Sequence, residues 1–427
     1  MTLQDLLDPL LDASQKVFPH HSGPLRRSAI GSQGWNVLNG DLPLPLAVIR
    51  RDALAGNLKW MQGFASDHGV GLAPHGKTTM SPQLFRRQLD AGAWGLTFAT
   101  VGQLRAGVAA GATRCIIANQ VFRAIDLKGI DDLKRAHAGL SVAFLVDSLD
   151  QLALIEAWKA TSKGTQPHDV LLEIGVDGGR TGCRTHEQAL ALAQQLHASP
   201  ATRLIGIECY EGLGATGQTG PDMAYAEALM TRVRDIALAC DAQQLFEADE
   251  ILLTAGGSAI FDLVADHLKL KLSRPVQGLL RSGCYVTHDH GTYHRHMSAV
   301  AQRMGCGHGL HAAMEVWAAV QSCPEPGLAI LSVGKRDISY DLELPIPAGY
   351  RRSGQDSIAG APADWKITGM NDQHAYLRGT GTEHRSLRVG DLVVLGISHP
   401  CTTFDKWRWM PVVDAHYNVC DAIVTCF

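Results

Sequence analysis

Two short stretches carry the chemistry that can be read from this chain. In the first, the apolar run Leu72-Ala73-Pro74 meets a polar turn, His75-Gly76-Lys77-Thr78-Thr79. An amine placed at the end of a buried strand is stripped of water and free to attack an aldehyde, forming a Schiff base. Taken alone, Lys77 reads more simply as a surface lysine opening a loop. In the second stretch, His399-Pro400-Cys401 closes the apolar run Leu392–Ile397. Residues two apart on an extended backbone face the same way. An imidazole beside a thiolate is a zinc-binding pair, and a catalytic zinc keeps positions open for water or substrate. A core cysteine next to a satisfied histidine is the plainer alternative.

Glycine turns shift the balance for Lys77. Thr254-Ala255-Gly256-Gly257-Ser258 follows an apolar run and precedes a short helical one, so its backbone N–H groups are placed to cradle a phosphate. Arg281-Ser282-Gly283-Cys284-Tyr285 ends another run, with Gly283 allowing close backbone approach. A lysine and a phosphate cup together point to pyridoxal phosphate. Gly212-x-Gly214-x-x-Gly217 matches a dinucleotide pattern but opens no helix on its third glycine, and it reads as a loop. The stretch His288–His296 is rich in histidine and is another metal candidate, but it is polar throughout and reads as a solvated hinge.

The elements that must position these residues form a rhythm. Apolar runs at Leu46–Ile49, Gly71–Pro74, Gly95–Ala99, Cys115–Ala118, Val142–Val146, Val170–Ile174, Leu204–Ile207, Ile251–Thr254 and Gly278–Leu280 alternate with helix-length segments. Short continuous apolar runs suit parallel strands covered on both faces. Some eight βα steps over about 240 residues predict an α/β fold, a (β/α)8 TIM-like barrel over 43–290. A doubly wound sheet is the competing architecture. Polar and glycine-rich residues follow the runs directly, as barrel active sites require. After Tyr285 the pattern changes to strands separated by turn signals, predicting an antiparallel β domain over 291–427. Residues 1–42 begin with Leu3, Leu6, Leu7, Leu10 and Leu11 at helical spacing and read as a packing arm.

Composition narrows the class. The 427 residues are 46% hydrophobic and 19% charged with a net charge of −4. That balance suits a large globular core and gives no sign of nucleic acid or membrane as a partner. Ten cysteines lie singly, with no C-x-x-C pair. With an acidic rather than basic N-terminus, they predict a cytoplasmic protein without a disulfide framework.

Taken in order, these motifs resemble the fold-type III pyridoxal-phosphate enzymes, and within them the D-serine dehydratase and D-threonine aldolase group. The resemblance spans Leu44 to the C-terminus. Pro74-His75-Gly76-Lys77-Thr78 is similar to P-H-x-K-T, which implies Lys77 as the Schiff-base residue with His75 beside the cofactor. Glu173–Gly182 resembles D-x-G-x-x-R-T-G and implies a cofactor contact for Arg180. Gly206–Gly212 resembles G-I-x-x-Y-x-G and implies Tyr210 near the ring. Gly256, Gly257, Ser258, Gly283, Cys284 and Tyr285 match the phosphate cup, and Glu383-His384 resembles an E-H pair near the site. The resemblance implies a barrel of alanine racemase N-terminal type, a homodimer, and a small D-amino acid as substrate.

Dehydratases of the group carry H-x-C for zinc and aldolases H-x-D for a harder ion. His399-x-Cys401 therefore implies a zinc-dependent dehydratase that converts a D-3-hydroxy amino acid to a 2-oxo acid and ammonia. A D-threonine-type aldolase giving glycine and an aldehyde is the alternative. A racemase and a non-catalytic cofactor carrier are weaker rivals, since neither needs the His-x-Cys pair. Two departures leave the substrate side chain open: Ala73 stands where the family often has arginine, and Thr78-Thr79-Met80 where it often has T-H-K.

Overall fold

The computed structural model describes residues 3–162, 166–307, 309–355 and 357–427. Eight parallel strands lie in chain order around a barrel: Gly71–Leu72, Leu96–Phe98, Arg114–Gln120, Ser141–Val146, His168–Ile174, Thr202–Cys209, Ile251–Ala255 and Val276–Leu280. The last strand pairs with the first through Leu279↔Gly71, and a bridge between His75 and Thr97 joins the first to the second. Pro74 lacks an N–H, which keeps the first strand short. Ala73, Ile116, Ala143, Leu145, Leu171, Ile205, Leu252 and Leu279 fill the interior, so the barrel is a packed core with its open end at the strands' C-termini.

Three of the covering helices start with one device. Thr100, Ser148 and Thr185 cap their helices by accepting from the backbone N–H of Gln103, Gln151 and Gln188. Each glutamine reaches back to the residue before the cap, Ala99, Asp147 and Arg184. This reciprocal pairing satisfies amides that the first helical turn leaves open.

The second sheet corrects the expected barrel boundary. Leu46–Arg50, expected as a barrel strand, pairs antiparallel with the long strand Met314–Glu325 and parallel with Trp409–Val413. It belongs to the β domain, and the helix Arg51–Asp67 carries the chain from there to the barrel. A run buried on both faces reads alike in either sheet, and only pairing distinguishes them. The remainder of this sheet is antiparallel, with Leu392–Gly396 paired to Met314–Glu325.

The stretch 288–296 is also corrected. His288 and Asp289 are buried, and a helix runs from Thr292 to Met304. Asp289 accepts from the backbone N–H of Gly291, Tyr293 and His294, so its carboxylate caps that helix. The N-terminal arm forms the short helix Leu3–Leu7 and a two-residue strand pair, not one longer helix. It spans both domains: Gln83 Nε2 donates to Leu7 O at 3.0 Å, and Trp409 Nε1 to Lys16 O at 2.8 Å. Among the described residues no helix is long and apolar enough to cross a membrane.

The core holds a neutral histidine. His168 lies against Trp158 and Phe144 at ring separations of 5.1 and 5.5 Å. Burial, helped by Lys134 and Lys159, pushes its pKa down to about 4. The unfolded chain, with a histidine value of about 6.5, therefore binds the extra proton between those limits. Stability from this group is complete above pH of about 6.5 and is lost as pH falls through about 4. Urea midpoints measured from pH 7 downward should fall over this window, and His168→Phe should flatten the decline.

Candidate active site

The barrel's open end faces the turn after Leu392–Gly396, and a cavity of about 390 Å3 lies between them. His75, Lys77, Arg180, Tyr210, Gly256, Ser258, Gly283, Cys284, His399 and Cys401 all line it. Residues spread over more than three hundred positions thus meet at one place. Gly257 and Tyr285 do not line the cavity: Gly257 lies behind it, and the Tyr285 hydroxyl is buried, accepting from Gln88 Nε2 at 3.3 Å. Glu383 bonds Tyr350 and Arg352 away from the cavity, and the side chain of His384 lies outside the described residues.

Lys77 is positioned by a 3-10 turn, Gly76–Thr78, directly after the first barrel strand. Gly76 is required there, since a Cβ would come within 2.5 Å of the Phe98 ring and 2.9 Å of Phe85. The Lys77 side chain is exposed, contrary to the expected desolvation. The barrel presents the amine to the cavity, and an occupant must exclude the water. His75 is neutral: burial, reinforced by Lys77, Arg281 and Arg180, drives its pKa well below the ordinary histidine value.

The phosphate cup differs from the expectation. The N–H groups of Gly256 and Gly257 donate to the Glu211 carboxylate at 2.9 and 2.6 Å. Glu211 is fully buried, and burial raises its pKa against the pull of Arg281 and the two amides. The chain's own anion thus occupies the two glycine amides. Gly256 lines the cavity with its N–H already engaged, which leaves Ser258, Gly283 and Cys284 as the other cavity-lining members of the cup. Gly283 sits so tightly that a Cβ would come within 2.5 Å of His75 O.

Behind the cavity lies a buried charge pair that sequence reading missed. Arg281 donates to Glu208 and to Thr254 Oγ1, and both charged side chains are almost wholly buried. Burial pushes Glu208 up to about 8, against the opposing charge of Arg281. Arg281 Nε, Glu208 Oε2 and His75 Nδ1 are buried without a partner. Such orphan groups are rare, and three around one cavity mark places for a ligand's polar atoms.

Arg180 lies over the Tyr210 ring, 5.0 Å from its centroid. Its loop is pinned from below. Thr181 Oγ1 donates to Glu173 at 2.5 Å, Arg184 to Thr181 O and Gly179 O at 2.5 and 2.7 Å, and Arg232 to Gly175 O at 2.6 Å. Arginine forks on carbonyls fix a loop that has no regular structure of its own.

On the opposite wall, His399 and Cys401 meet in a manner the expected extended backbone does not describe. His399 lies in a turn, and Cys401 opens the short helix Cys401–Phe404. His399 Nδ1 pairs with Asp341 Oδ2 at 2.6 Å, another partner the sequence did not reveal. Burial opposes the imidazolium, but Cys401 and Asp341 raise the His399 pKa to about 9. Cys284 and His399 hold the Cys401 thiol well below its ordinary range, against burial. A carboxylate on Nδ1 fixes the ring and leaves Nε2 for a metal, the usual outer-shell arrangement of metal-binding histidines. The donor pair therefore fits a soft divalent ion. Among the described residues no three His, Cys, Asp or Glu side chains already form a finished cage.

Sequence comparison agrees with this geometry. The alanine racemase N-terminal domain pattern matches residues 49–275, more than half of the chain, and a serine dehydratase domain pattern matches 313–413. The chain belongs to the fold-type III pyridoxal-phosphate enzymes. It is 28% identical over 379 residues to a D-threonine aldolase from an Arthrobacter species, covering 86% of this chain and 88% of the relative. It is 26% identical over 386 residues to the D-threo-3-hydroxyaspartate dehydratase of a Delftia species, strain HT23, covering 85% and 92%. The crystal structure of D-threonine aldolase from Filomicrobium marinum superposes with a TM-score of 0.75 at 22% identity, covering 92% and 97% of the two chains. The residues present fit the family's cofactor: Lys77 would offer the amine, Ser258, Gly283 and Cys284 would line the cup, and His75 Nδ1 and Arg281 Nε are buried polar atoms without a partner.

Glu211 gives this arrangement a direct test. Glu211→Gln sets an amide NH2 against a backbone N–H that now has an acceptor, a mismatch of about 2 kcal/mol. The variant should unfold at lower temperature and release pyridoxal phosphate faster in dialysis. Unchanged cofactor retention would show that the glycine turn holds without the carboxylate.

Proposed function

We propose that this lyase is a pyridoxal-phosphate- and zinc-dependent dehydratase of D-3-hydroxy amino acids, releasing a 2-oxo acid and ammonia. The observation that carries the reading is Cys401 in the His-x-Cys turn, facing Lys77 across one cavity. Membership of the pyridoxal-phosphate family supports the cofactor, and the named relatives support a D-3-hydroxy amino acid as substrate. We further place the protein in the cytoplasm as a homodimer, in keeping with ten free cysteines and with the family resemblance.

When bound, pyridoxal phosphate supplies an electron sink for the charge left at the α-carbon. The Lys77 amine would hold the cofactor and is the lining base that would take the α-proton. Neutral His75 offers a hydrogen bond without adding charge beside that amine. Arg180 and Tyr210 would contact the ring, and the Arg281–Glu208 pair would supply a fixed dipole at the cavity wall. His399 and Cys401 would hold the zinc, which supplies Lewis-acid pull on the 3-hydroxyl when bound.

The ligand type favours dehydration over retro-aldol cleavage in this reading. Elimination needs the hydroxyl to leave, whereas retro-aldol cleavage needs it to lose its proton. A thiolate is softer than the carboxylate of H-x-D proteins and selects zinc over magnesium, manganese or calcium.

The test is incubation with D-serine, D-threonine and D-3-hydroxyaspartate, with and without a chelator, assaying ammonia and glycine. Ammonia should form, should cease when zinc is stripped and return with zinc, while the protein keeps its bound cofactor. Lys77→Ala should abolish turnover, and Cys401→Asp should lower ammonia release by at least about tenfold. Glycine as the main product, or ammonia release that survives complete zinc removal, defeats the reading.

A further inference from the structure

A catalytic zinc takes three protein ligands and leaves a fourth position for water or substrate. His399 and Cys401 supply two, so a site built from them alone is one short. The missing donor lies across the domain boundary. Cys284 Sγ is 3.7 Å from Cys401 Sγ, with 117 positions between them in sequence. Cys284 opens the 3-10 turn Cys284–Val286 after the last barrel strand, whereas Cys401 belongs to the β domain.

We propose that Cys284 is the third protein ligand of the metal centre, giving a His399–Cys401–Cys284 set. The inference rests on the metal reading above. Two sulfurs sharing a tetrahedral zinc at about 2.3 Å each stand about 3.8 Å apart. A disulfide would bring them to about 2.05 Å. Two thiols in simple contact sit at a similar distance to the zinc-bound pair, so the spacing does not carry the case by itself.

Three further observations do. Both sulfurs line the same cavity as His399. Asp341 already holds His399 by Nδ1, so Nε2 is the ring nitrogen left on offer to an ion. Thr78 Oγ1 stands 3.9 Å from Cys284 Sγ and 3.4 Å from Cys401 Sγ, so one hydroxyl borders both. No three donors surround a common point among the described residues, so the proposed set requires the Cys284 side chain to rotate when the ion binds. A second thiolate strengthens the preference for zinc and binds the barrel to the β domain through the ion.

The test uses the full-length holoenzyme, kept reduced and loaded with zinc. X-ray absorption at the zinc edge should count two sulfur neighbours. One sulfur overturns the proposal while leaving the metal reading intact, and absence of bound zinc overturns both. With cobalt in place of zinc, Cys284→Ser should lower the thiolate-to-cobalt absorption to about half, one soft ligand remaining of two. Chelator competition should show zinc affinity lowered by more than about a hundredfold, beyond the loss of an outer-shell partner. An unchanged cobalt spectrum in Cys284→Ser is likewise fatal to the proposal. Counting sulfurs in the unaltered protein keeps the question answerable where the variant fails to fold.

Discussion

Thr78 Oγ1 lies 3.4 Å from Cys401 Sγ, a contact between residues 323 positions apart. The site depends on that seam. On one side is the turn that presents Lys77, on the other the turn that presents His399 and Cys401. Neither domain holds the whole constellation. The barrel alone would keep an amine and an anion cup, and the β domain alone a histidine and a cysteine with nothing to act upon.

The seam is fixed by strands and ions remote from the cavity. Leu46–Arg50 is bound into the β sheet, and the helix that follows it covers the barrel, so the chain stitches the domains together before either is complete. At the far end, Cys426 N donates to Met80 O at 2.8 Å, and Arg87 pairs with Asp421 at 2.8 Å. Met80 has φ +41°, a left-handed conformation that a side chain rarely adopts. It follows the turn Gly76–Thr78 that carries Lys77, and the segment after the strand Val419–Val424 holds it there through Cys426. Local strain at the lysine turn is thus sustained by the domain that carries the metal pair.

This division explains what could be read from the sequence. Lys77, Arg180, Tyr210, His399 and Cys401 follow strands or turns whose local pattern is strong, and all five reach the cavity. The barrel itself was legible because parallel strands must be apolar on both faces. Leu46–Arg50 has the same signature, yet its partners are set by Met314–Glu325, more than two hundred and fifty residues later. Glu211 was invisible because a glycine turn looks like a phosphate cup whether a ligand or a carboxylate fills it. Arg281, Glu208 and Asp341 acquire meaning only as partners, and pairing between distant residues has no local signal. The polar stretch at 288–296 suggested solvent, since composition does not show that Asp289 spends its charge on a buried helix start.

The cavity's charges also divide by domain, and that division bears on the chemistry. Lys77, Arg180 and Arg281 come from the barrel, with Glu208 balancing Arg281 and Glu211 occupying the glycine amides. The barrel wall is therefore arranged for an anionic ring and phosphate, with one amine left mobile. The opposite wall is built from Cys401 and from His399 with the Asp341 carboxylate behind it, and the Cys284 thiol meets it from the barrel side. In the proposed reaction a D-3-hydroxy amino acid between these walls would turn its α-carbon toward the amine and its hydroxyl toward His399 and Cys401. Proton removal and hydroxyl departure would then draw on different domains, and only their docking brings the two sets of groups to one cavity.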